Sequence, residues 1–402
     1  MRTSLMRRAC AAAALLLSSA LASALPPATT AAAQPGDSVR KSEQSERSKQ
    51  SEPGGAQVRL LGERTVPHKL AFDGTTVGGL SGIDRDRCTG QYVFISDDRS
   101  YLNPARFYTA NLDVDAAGVH AVDFTGTHAF RRPDGATYPS PNTDPGKAVD
   151  PEEIRVDPLT CRYWWGQEGD RPRTSAEPVV QPSIQYASRT GGYRGSFRLP
   201  ANYTISEDRG PRRNQVIEAL SFGARGTRVT SAIEGPLLQD GPLPDTDRGA
   251  LVRLTQQTRT GRVQGQFAYP LEKIFAPSDP TSPWGPDTGV PSLLAFPNDP
   301  DRYLVLERTW VAGSGYKIRI YDATTRGATD VQAMDALAGE SVVPMRKTLV
   351  ADFDDLGLSS VNNTEGMTWG PVLPNGERTL ILVSDDNFSS DEATQIVALA
   401  LT

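Results

Sequence analysis

GGLSGIDRD (78–86), followed by QYVFISDD (91–98), is the repeating unit from which the fold can be predicted, because this pair of segments recurs four more times along the chain. The first segment recurs as DPEEIRVDP (150–158), NQVIEALSF (214–222), GVPSLLAFP (289–297) and NTEGMTWGP (363–371). The second segment, which ends in an acidic residue, recurs as RYWWGQE (162–168), TRVTSAIE (227–234), RYLVLE (302–307) and RTLILVSDD (378–386). Alternating apolar residues with β-branched and aromatic content predict a hairpin of two strands in each repeat.

Two further strands follow most of these hairpins, such as RFYTANLD (106–113) and VHAVDFTGTHAF (119–130) after the first. The last repeat supplies only three strands and ends with QIVALAL (395–401), whereas VRLLGERTVP (58–67) precedes the first repeat and resembles the other fourth strands. The chain is therefore predicted to be an all-β propeller of four-stranded antiparallel blades, closed by an N-terminal strand that joins the C-terminal blade. Five repeats imply five blades. A sixth, degenerate blade within the insertions is an alternative that the sequence leaves open.

Composition agrees with short strands and many turns, since the 402 residues include 36 Gly and 31 Pro. The formal net charge of −6 argues against nucleic acid or an anionic membrane as the main partner. The negative net charge is compatible with an acidic site that holds a cation. We expect a monomer that acts on a small molecule.

The N-terminal part of the chain has the pattern of an export signal. Three arginines precede an Ala/Leu/Ser run that is too short to favour a membrane span, and a small-residue stretch ends at residue 33. Residues 34–56 contain no large apolar side chain and are predicted to be a disordered linker. The propeller domain is predicted over residues 57–402 of a secreted protein. Cys88 and Cys161 occupy equivalent turns of adjacent repeats, which predicts a disulfide between them.

Acidic residues concentrate at one end of the predicted propeller. In an up-and-down blade the first strand starts where the second strand ends, so the acids at both places lie on one face, together with the long insertions. The candidate metal ligands are Asp97, Asp98, Glu153, Glu168, Glu218, Glu234, Glu307, Glu365 and Asp385. Crowded carboxylates repel each other unless a cation lies between them, and oxygen ligands favour Ca²⁺.

Arginines are common on the same loops, and guanidinium groups recognise phosphate through paired donors. Arg171 and Arg308 are predicted to bind substrate, and Glu153 and Glu365 are predicted to be catalytic. Any one of these acids could instead accept hydrogen bonds from the amides of its own turn, and most of the arginines could simply balance nearby acids. GGLSGI (78–83) lacks the last glycine of a G-x-S-x-G motif, which disfavours a Ser-His-Asp esterase.

The sequence resembles the phytase-like family, labelled "esterase-like activity of phytase". The resemblance rests on GGLSGID (78–84), DPEEIRVDP (150–158), NQVIEALSF (214–222) and the block from NTEGMTWGP to TLILVSDDNF (363–388). It implies an exported propeller distantly similar to β-propeller phytases, which are calcium-dependent phosphomonoesterases with a metal-activated water as nucleophile. No DDPAIW-type segment of true phytases is present in the sequence.

Three functions follow from these patterns. The leading hypothesis is a secreted, cation-dependent hydrolase of phosphoric monoesters that uses the acidic channel mouth. A calcium-dependent lactonase or carboxylic esterase with similar acids is the second. A non-catalytic extracellular binding propeller is the third, and it comes from a different functional class.

Overall fold

A computed structural model describes residues 58–401, so the predicted signal peptide (1–33) and linker (34–56) lie outside the described residues. In chain order the first strands are β1 (Val58–Thr65), β2 (Ala71–Phe72) and β3 (Thr75–Thr76). Blade 1 then comprises β4 (Gly82–Arg85), β5 (Tyr92–Ser96), β6 (Arg106–Asp115) and β7 (Gly118–Ala129). Blade 2 comprises β8 (Pro151–Val156), β9 (Tyr163–Gln167), β10 (Ser183–Ala187) and β11 (Tyr193–Phe197).

Blade 3 comprises β12 (Ile217–Gly223), β13 (Arg228–Ile233), β14 (Ala250–Thr258) and β15 (Val263–Leu271). Blade 4 comprises β16 (Asp287–Phe296), β17 (Asp299–Val311), β18 (Gly315–Thr324) and β19 (Arg346–Asp352). The last strands are β20 (Asn363–Val372), β21 (Arg378–Asp385) and β22 (Gln395–Leu401). Short 3-10 helices occur at Ala201–Tyr203, Ala224–Gly226, Leu238–Asp240 and Phe353–Asp355.

The strands form five four-stranded antiparallel sheets, which are the five blades of a propeller. β1 pairs with β22 in the last sheet, from Val58 opposite Leu401 to Thr65 opposite Gln395. The predicted closure by an N-terminal strand is confirmed, and residues 58–401 contain five blades and no sixth. β1 covers the edge of β22 that would otherwise be unpaired, and it joins the two ends of the chain in one blade.

The hydrophobic core is divided into layers between neighbouring blades. Five large clusters of buried apolar side chains occur, one at each blade-to-blade contact. Between blades 1 and 2, for example, Phe107 packs with Trp165 and Phe130, and the last two rings stack 4.2 Å apart. Each blade therefore buries its apolar faces against two neighbours, and a blade cannot do so alone.

The first strands of the blades surround the axis, each in contact with that of the next blade. Arg155 on β8 is buried there and donates to backbone carbonyls of other blades, those of Ile83, Leu220 and Met367, at 2.6–2.8 Å. It also pairs with Glu153 of its own blade at 2.8 Å. One guanidinium thus fills the middle of the channel and separates its two ends.

Cys88 and Cys161 form a disulfide between the turns that follow the first strands of blades 1 and 2, with their Cα atoms 6.3 Å apart. The bridge lies at the end of the channel opposite the acidic residues. Within the described part of the chain, no helix has the length and apolar character needed to cross a membrane.

Candidate metal centre

Irregular backbone in the first strands places acidic side chains at one mouth of the channel. Glu218 lies in a register shift between Ile217 and Ala219, both of which pair with β13. Glu365 lies in a similar shift on β20, and the shift on β8 spans Glu152 and Glu153. A β-bulge re-aims side chains and interrupts the alternation of a strand. The acids at these positions can therefore face the channel mouth although they belong to inner strands.

The mouth holds a cavity of about 420 Å³, which we call the acidic mouth. Its lining combines carboxylates from four blades with two arginines and residues of the surrounding loops. The acids in the lining are Asp97, Asp98, Asp150, Glu152, Glu218, Glu365 and Asp385. The bottom of the mouth is enclosed by the inner strands, so these carboxylates have little access to water.

Two overlapping sets of carboxylates are close enough to share one cation. Asp150, Glu152 and Glu168 offer oxygens that all lie within 4.8 Å of one another. Glu168, Glu218 and Glu234 form the second set by the same measure, so Glu168 belongs to both. These residues come from blades 2 and 3, whose first and second strands meet at this place.

Burial and mutual repulsion make these carboxyl groups reluctant to ionise. Burial, with the charge of Asp287 next, raises the pKa of Glu234 to about 8, and burial raises that of Asp150 to about 6. Burial and then the neighbouring carboxylates raise the pKa of Glu168, Glu218 and Asp97 well above the ordinary value. A cation among them would remove the repulsion and favour the ionised form of every member.

Several buried carboxylate oxygens, in the lining of the acidic mouth or next to it, have no hydrogen-bond donor. Among the described residues, nothing donates to Asp97 Oδ1, Glu218 Oε2 or Glu234 Oε2, although all three atoms are buried. A buried, unpartnered carboxylate oxygen is costly in a folded protein. Oxygen-only ligands in this number fit Ca²⁺, which accepts six to eight oxygens in flexible geometry. The residues present therefore fit the ion that the sequence predicted.

Arg308, which the sequence predicted to bind substrate, is one of the two arginines beside this cluster. Its guanidinium donates to Glu234 at 2.9 Å and to Asp287 at 2.7 Å, and it lies 3.4 Å from Glu365. These carboxylates raise its pKa well above the usual value despite burial, so it remains charged. The seven acids of the lining outnumber its basic residues, so negative charge remains at the mouth.

Three of the predicted metal ligands are used elsewhere, and the prediction needs correction at each. Glu153 points to the axis, where it binds Arg155 and the amide of Ile154, because the bulge leaves Glu152 facing the mouth. Glu307 accepts from Tyr269 and Lys347 at 2.6 Å each, because β17 continues past it and Arg308 takes the inward position.

Asp98 is the third correction, although it borders the cavity. Its oxygens accept three amide hydrogen bonds, from residues 101–103, and a buried ion pair of 2.6 Å to Arg106. Every lone pair that it could offer to a metal is engaged. The sequence left open that each acid caps its own turn. Asp98 does so, whereas its neighbour Asp97 does not.

Arg171 does not reach the mouth. Its guanidinium donates to the carbonyls of Ser206, Arg209 and Pro211, at 2.6–2.8 Å, and so holds the 201–213 loop. A second cavity, of about 940 Å³, adjoins the acidic mouth and shares Arg308, Glu365 and Arg99 with it. The arginines that line this neighbouring cavity are Arg99, Arg173, Arg212, Arg213 and Arg308.

Sequence reasoning missed Asp150, Glu152 and Asp287. Asp150 and Glu152 stand in the DPEEIRVDP repeat itself, so the doubled acids of that segment were the available signal. The comparison of the repeats selected Glu153 in place of Glu152, and the bulge on β8 reverses that choice. Asp287 precedes its repeat and is identified only by its ion pair with Arg308.

Solved structures with a related arrangement are distant. An α-L-arabinofuranosidase from Lactobacillus brevis is 10% identical, with a TM-score of 0.42 over 80% of this chain and 90% of that one. A Bacillus subtilis arabinanase is 13% identical, with a TM-score of 0.39 over 87% and 96%. Hydrazine synthase of Kuenenia stuttgartiensis is 13% identical, with a TM-score of 0.35 over 79% and 80%. Scores this low carry no inference about function.

A search of curated protein sequences found no match. The family comparison is positive: residues 75–388 match the family described as phytase-like, esterase-like activity of phytase. This match spans blades 1 to 4, the strands β20 and β21 of the last blade, and every acid of the acidic mouth named above. The chain therefore belongs to the phytase-like family.

Proposed function

We propose that this protein is an exported, Ca²⁺-dependent hydrolase of phosphoric monoesters that works at the acidic mouth. The observation that carries the proposal is the group formed by Glu168, Glu218 and Glu234, whose oxygens lie within 4.8 Å of one another in a buried place. Two of these side chains have an oxygen without a hydrogen-bond donor. Family membership supports ester hydrolysis, and the predicted signal and the disulfide support export.

The ion would be held by Glu168, Glu218 and Glu234, with Asp150, Glu152 and Asp97 completing the oxygen set. A bound Ca²⁺ would polarise a phosphoryl oxygen and make a water molecule easier to deprotonate. Val216 donates its amide to Glu168 at 2.6 Å and so fixes the orientation of the carboxylate shared by both sets. The carboxylates are thus positioned by the backbone before any ligand arrives.

The adjoining cavity supports a phosphorylated substrate. Its arginines present several N–H donors beside the carboxylates, and guanidinium groups bind phosphate oxygens in pairs. Arg308 borders both cavities, so it is the donor best placed to contact a phosphate that also meets the metal ligands. Arg171, named from the sequence for this role, is replaced in the proposal by Arg99 and Arg213.

Glu365 remains the candidate for proton transfer. It borders both cavities, accepts from Asn363 at 2.9 Å, and burial raises its pKa above the ordinary value. A carboxyl group with a raised pKa is more often protonated than an ordinary one, and a protonated carboxyl group can donate to a leaving oxygen. Glu153 is not proposed for this role, since its carboxylate is bound to Arg155 on the axis.

The test is hydrolysis of a panel of phosphate and carboxylate esters by the exported protein, with added Ca²⁺ and with a chelator. We expect phosphomonoester hydrolysis that requires Ca²⁺, and a loss of at least about 100-fold in Glu365→Gln. Glu340→Gln, a change at an exposed acid outside both cavities, is the matched control.

Other outcomes of this assay would contradict the proposal. Hydrolysis of carboxylic esters or lactones alone would favour the second function. Inertness on every ester, with Ca²⁺ still raising the melting temperature, would favour a binding propeller. A melting temperature that changes with neither Ca²⁺ nor chelator would contradict the existence of a metal centre.

A further inference from the structure

The opposite end of the channel holds a third cavity, which the proposed function does not use. This cavity of about 390 Å³ is lined by the turns that follow the first strands of the blades. We call it the basic mouth and define it by Arg85, Arg87, Arg225, Phe222 and Trp369. Its volume is within the range of small-molecule sites in proteins.

Three of its arginines carry charge that no acid balances. Among the described residues, no carboxylate forms an ion pair with Arg85, Arg87 or Arg225. Arg85 Nε is buried and has no acceptor. An arginine cluster with free donors is a general recognition element for carboxylate, sulfonate and phosphate groups.

The two carboxylates that border the basic mouth are already engaged. Asp84 accepts from the Val156 amide and the Thr368 hydroxyl and lies 4.0 Å from Arg155. Asp157 binds Arg259 and the amide of Leu159. Four arginines and two aspartates line the basic mouth, so its net charge is positive.

The wall of the cavity is apolar and partly aromatic. Leu294, Ala295 and Pro297 of blade 4 lie between Phe222 of blade 3 and Trp369 of blade 5. The Trp369 indole is held by a 3.3 Å hydrogen bond from Nε1 to the Ala295 carbonyl. A flat apolar wall beside guanidinium groups suits a ligand with a planar body and an anionic end.

The backbone beside the arginines is strained. Ala224 and Arg225 adopt positive φ values of 49° and 58°, a conformation that side-chain-bearing residues seldom take. The two residues form the turn that brings Arg225 to the cavity. Strain of this kind persists where surrounding structure imposes it, and it concentrates at ligand sites.

We propose that the basic mouth binds a small organic anion, one acidic group on a planar apolar body, independently of the acidic mouth. Arg85 and Arg225 bind the acidic group, and Phe222 and Trp369 contact the planar body. The Arg155 guanidinium lines the cavity and separates it from the acidic mouth. Ligands at the two ends therefore do not compete for the same space.

The experiment is calorimetric titration of the full exported chain with 1-naphthalenesulfonate, with neutral 1-naphthol as the comparison. A chelator is present throughout, so that the acidic mouth holds no metal. We expect one saturable site for the sulfonate, weakened by added salt, and binding of naphthol that is at least about tenfold weaker. The double variant Arg85→Gln/Arg225→Gln is expected to lose at least about tenfold in affinity.

Arg262→Gln is the matched control, because Arg262 is exposed and lies outside the cavity. It should bind the sulfonate as the unchanged protein does. Trp369→Phe should remove most of the fluorescence change on binding while the other four tryptophans of the chain remain. If the double variant fails to fold, Arg225→Glu alone, at an exposed turn, tests the same point through repulsion.

Three results would overturn the proposal. The first is the absence of saturable sulfonate binding, and the second is equal affinity for naphthol. The third is a folded double variant that binds as well as the unchanged protein. Ester hydrolysis measured in the same variants distinguishes this site from the proposed function, since neither Arg85 nor Arg225 borders the acidic mouth.

Discussion

Two neighbouring regions of the channel bury charge in opposite ways. At the axis, Glu153 and Arg155 satisfy each other and the carbonyls of surrounding blades. One residue earlier in the sequence, Glu152 faces a mouth in which carboxylates outnumber arginines and several oxygens have no donor. Both regions contain buried, charged side chains. The presence or absence of partners is what distinguishes a structural ion pair from a place that requires a ligand.

We expect the greatest loss of stability from a change at the axis. Arg155→Met should lower the free energy of unfolding by about 3–5 kcal/mol, because Glu153 and several buried carbonyls lose their donor at once. Denaturant unfolding with and without Ca²⁺ measures this, and the loss should be the same in both conditions. A loss restored by Ca²⁺ would mean that the axis and the acidic mouth are one energetic unit.

Asp97 and Asp98 are adjacent in sequence but differ in their partners. Asp98→Asn should cost about 3 kcal/mol, since Arg106 is then left buried without its counter-charge. Asp97→Asn removes a repelled charge, so the metal-free protein at pH 8 should be equally stable or more stable. Its melting temperature should respond less to Ca²⁺. Equal losses in both variants would contradict the assignment.

The pH dependence of stability follows from the raised pKa values at the mouth. A carboxyl group such as Glu234, whose pKa rises to about 8 on folding, binds protons more tightly in the folded state than in the unfolded state. The free energy of unfolding of the metal-free protein should therefore fall by about 1–3 kcal/mol between pH 5 and pH 8. Ca²⁺ replaces the protons, so its apparent affinity should increase over the same range. Thermal melts at each pH with and without Ca²⁺ measure both effects, and a flat metal-free profile would refute them.

The smallest effect is expected at Arg171. Because its donors are used by carbonyls of the 201–213 loop, Arg171→Gln should change KM for p-nitrophenyl phosphate by less than about twofold. Arg308→Gln should raise KM by about tenfold or more, since Arg308 borders both cavities. A larger change in KM at Arg171 would support the original prediction that Arg171 binds substrate.

Much of the architecture could be predicted because it depends on patterns within short stretches of sequence. Alternating apolar residues define strands, and the recurrence of one hairpin pattern defines five blades. The resemblance of residues 58–67 to the other fourth strands was enough to predict the pairing of β1 with β22. The turns of Cys88 and Cys161 were likewise equivalent by sequence, and the structure joins them. The concentration of acids on one face also follows from strand order alone.

Which acids face the mouth was decided by the tertiary structure. A β-bulge reverses the direction of every side chain beyond it, and the bulges on β8, β12 and β20 leave no reliable mark in the sequence. The partners that engage Glu307, Asp98 and Arg171 come from other strands and loops, such as Lys347 beside Glu307. Alternation is a property of one strand, whereas the satisfaction of a buried charge depends on groups that only folding brings together.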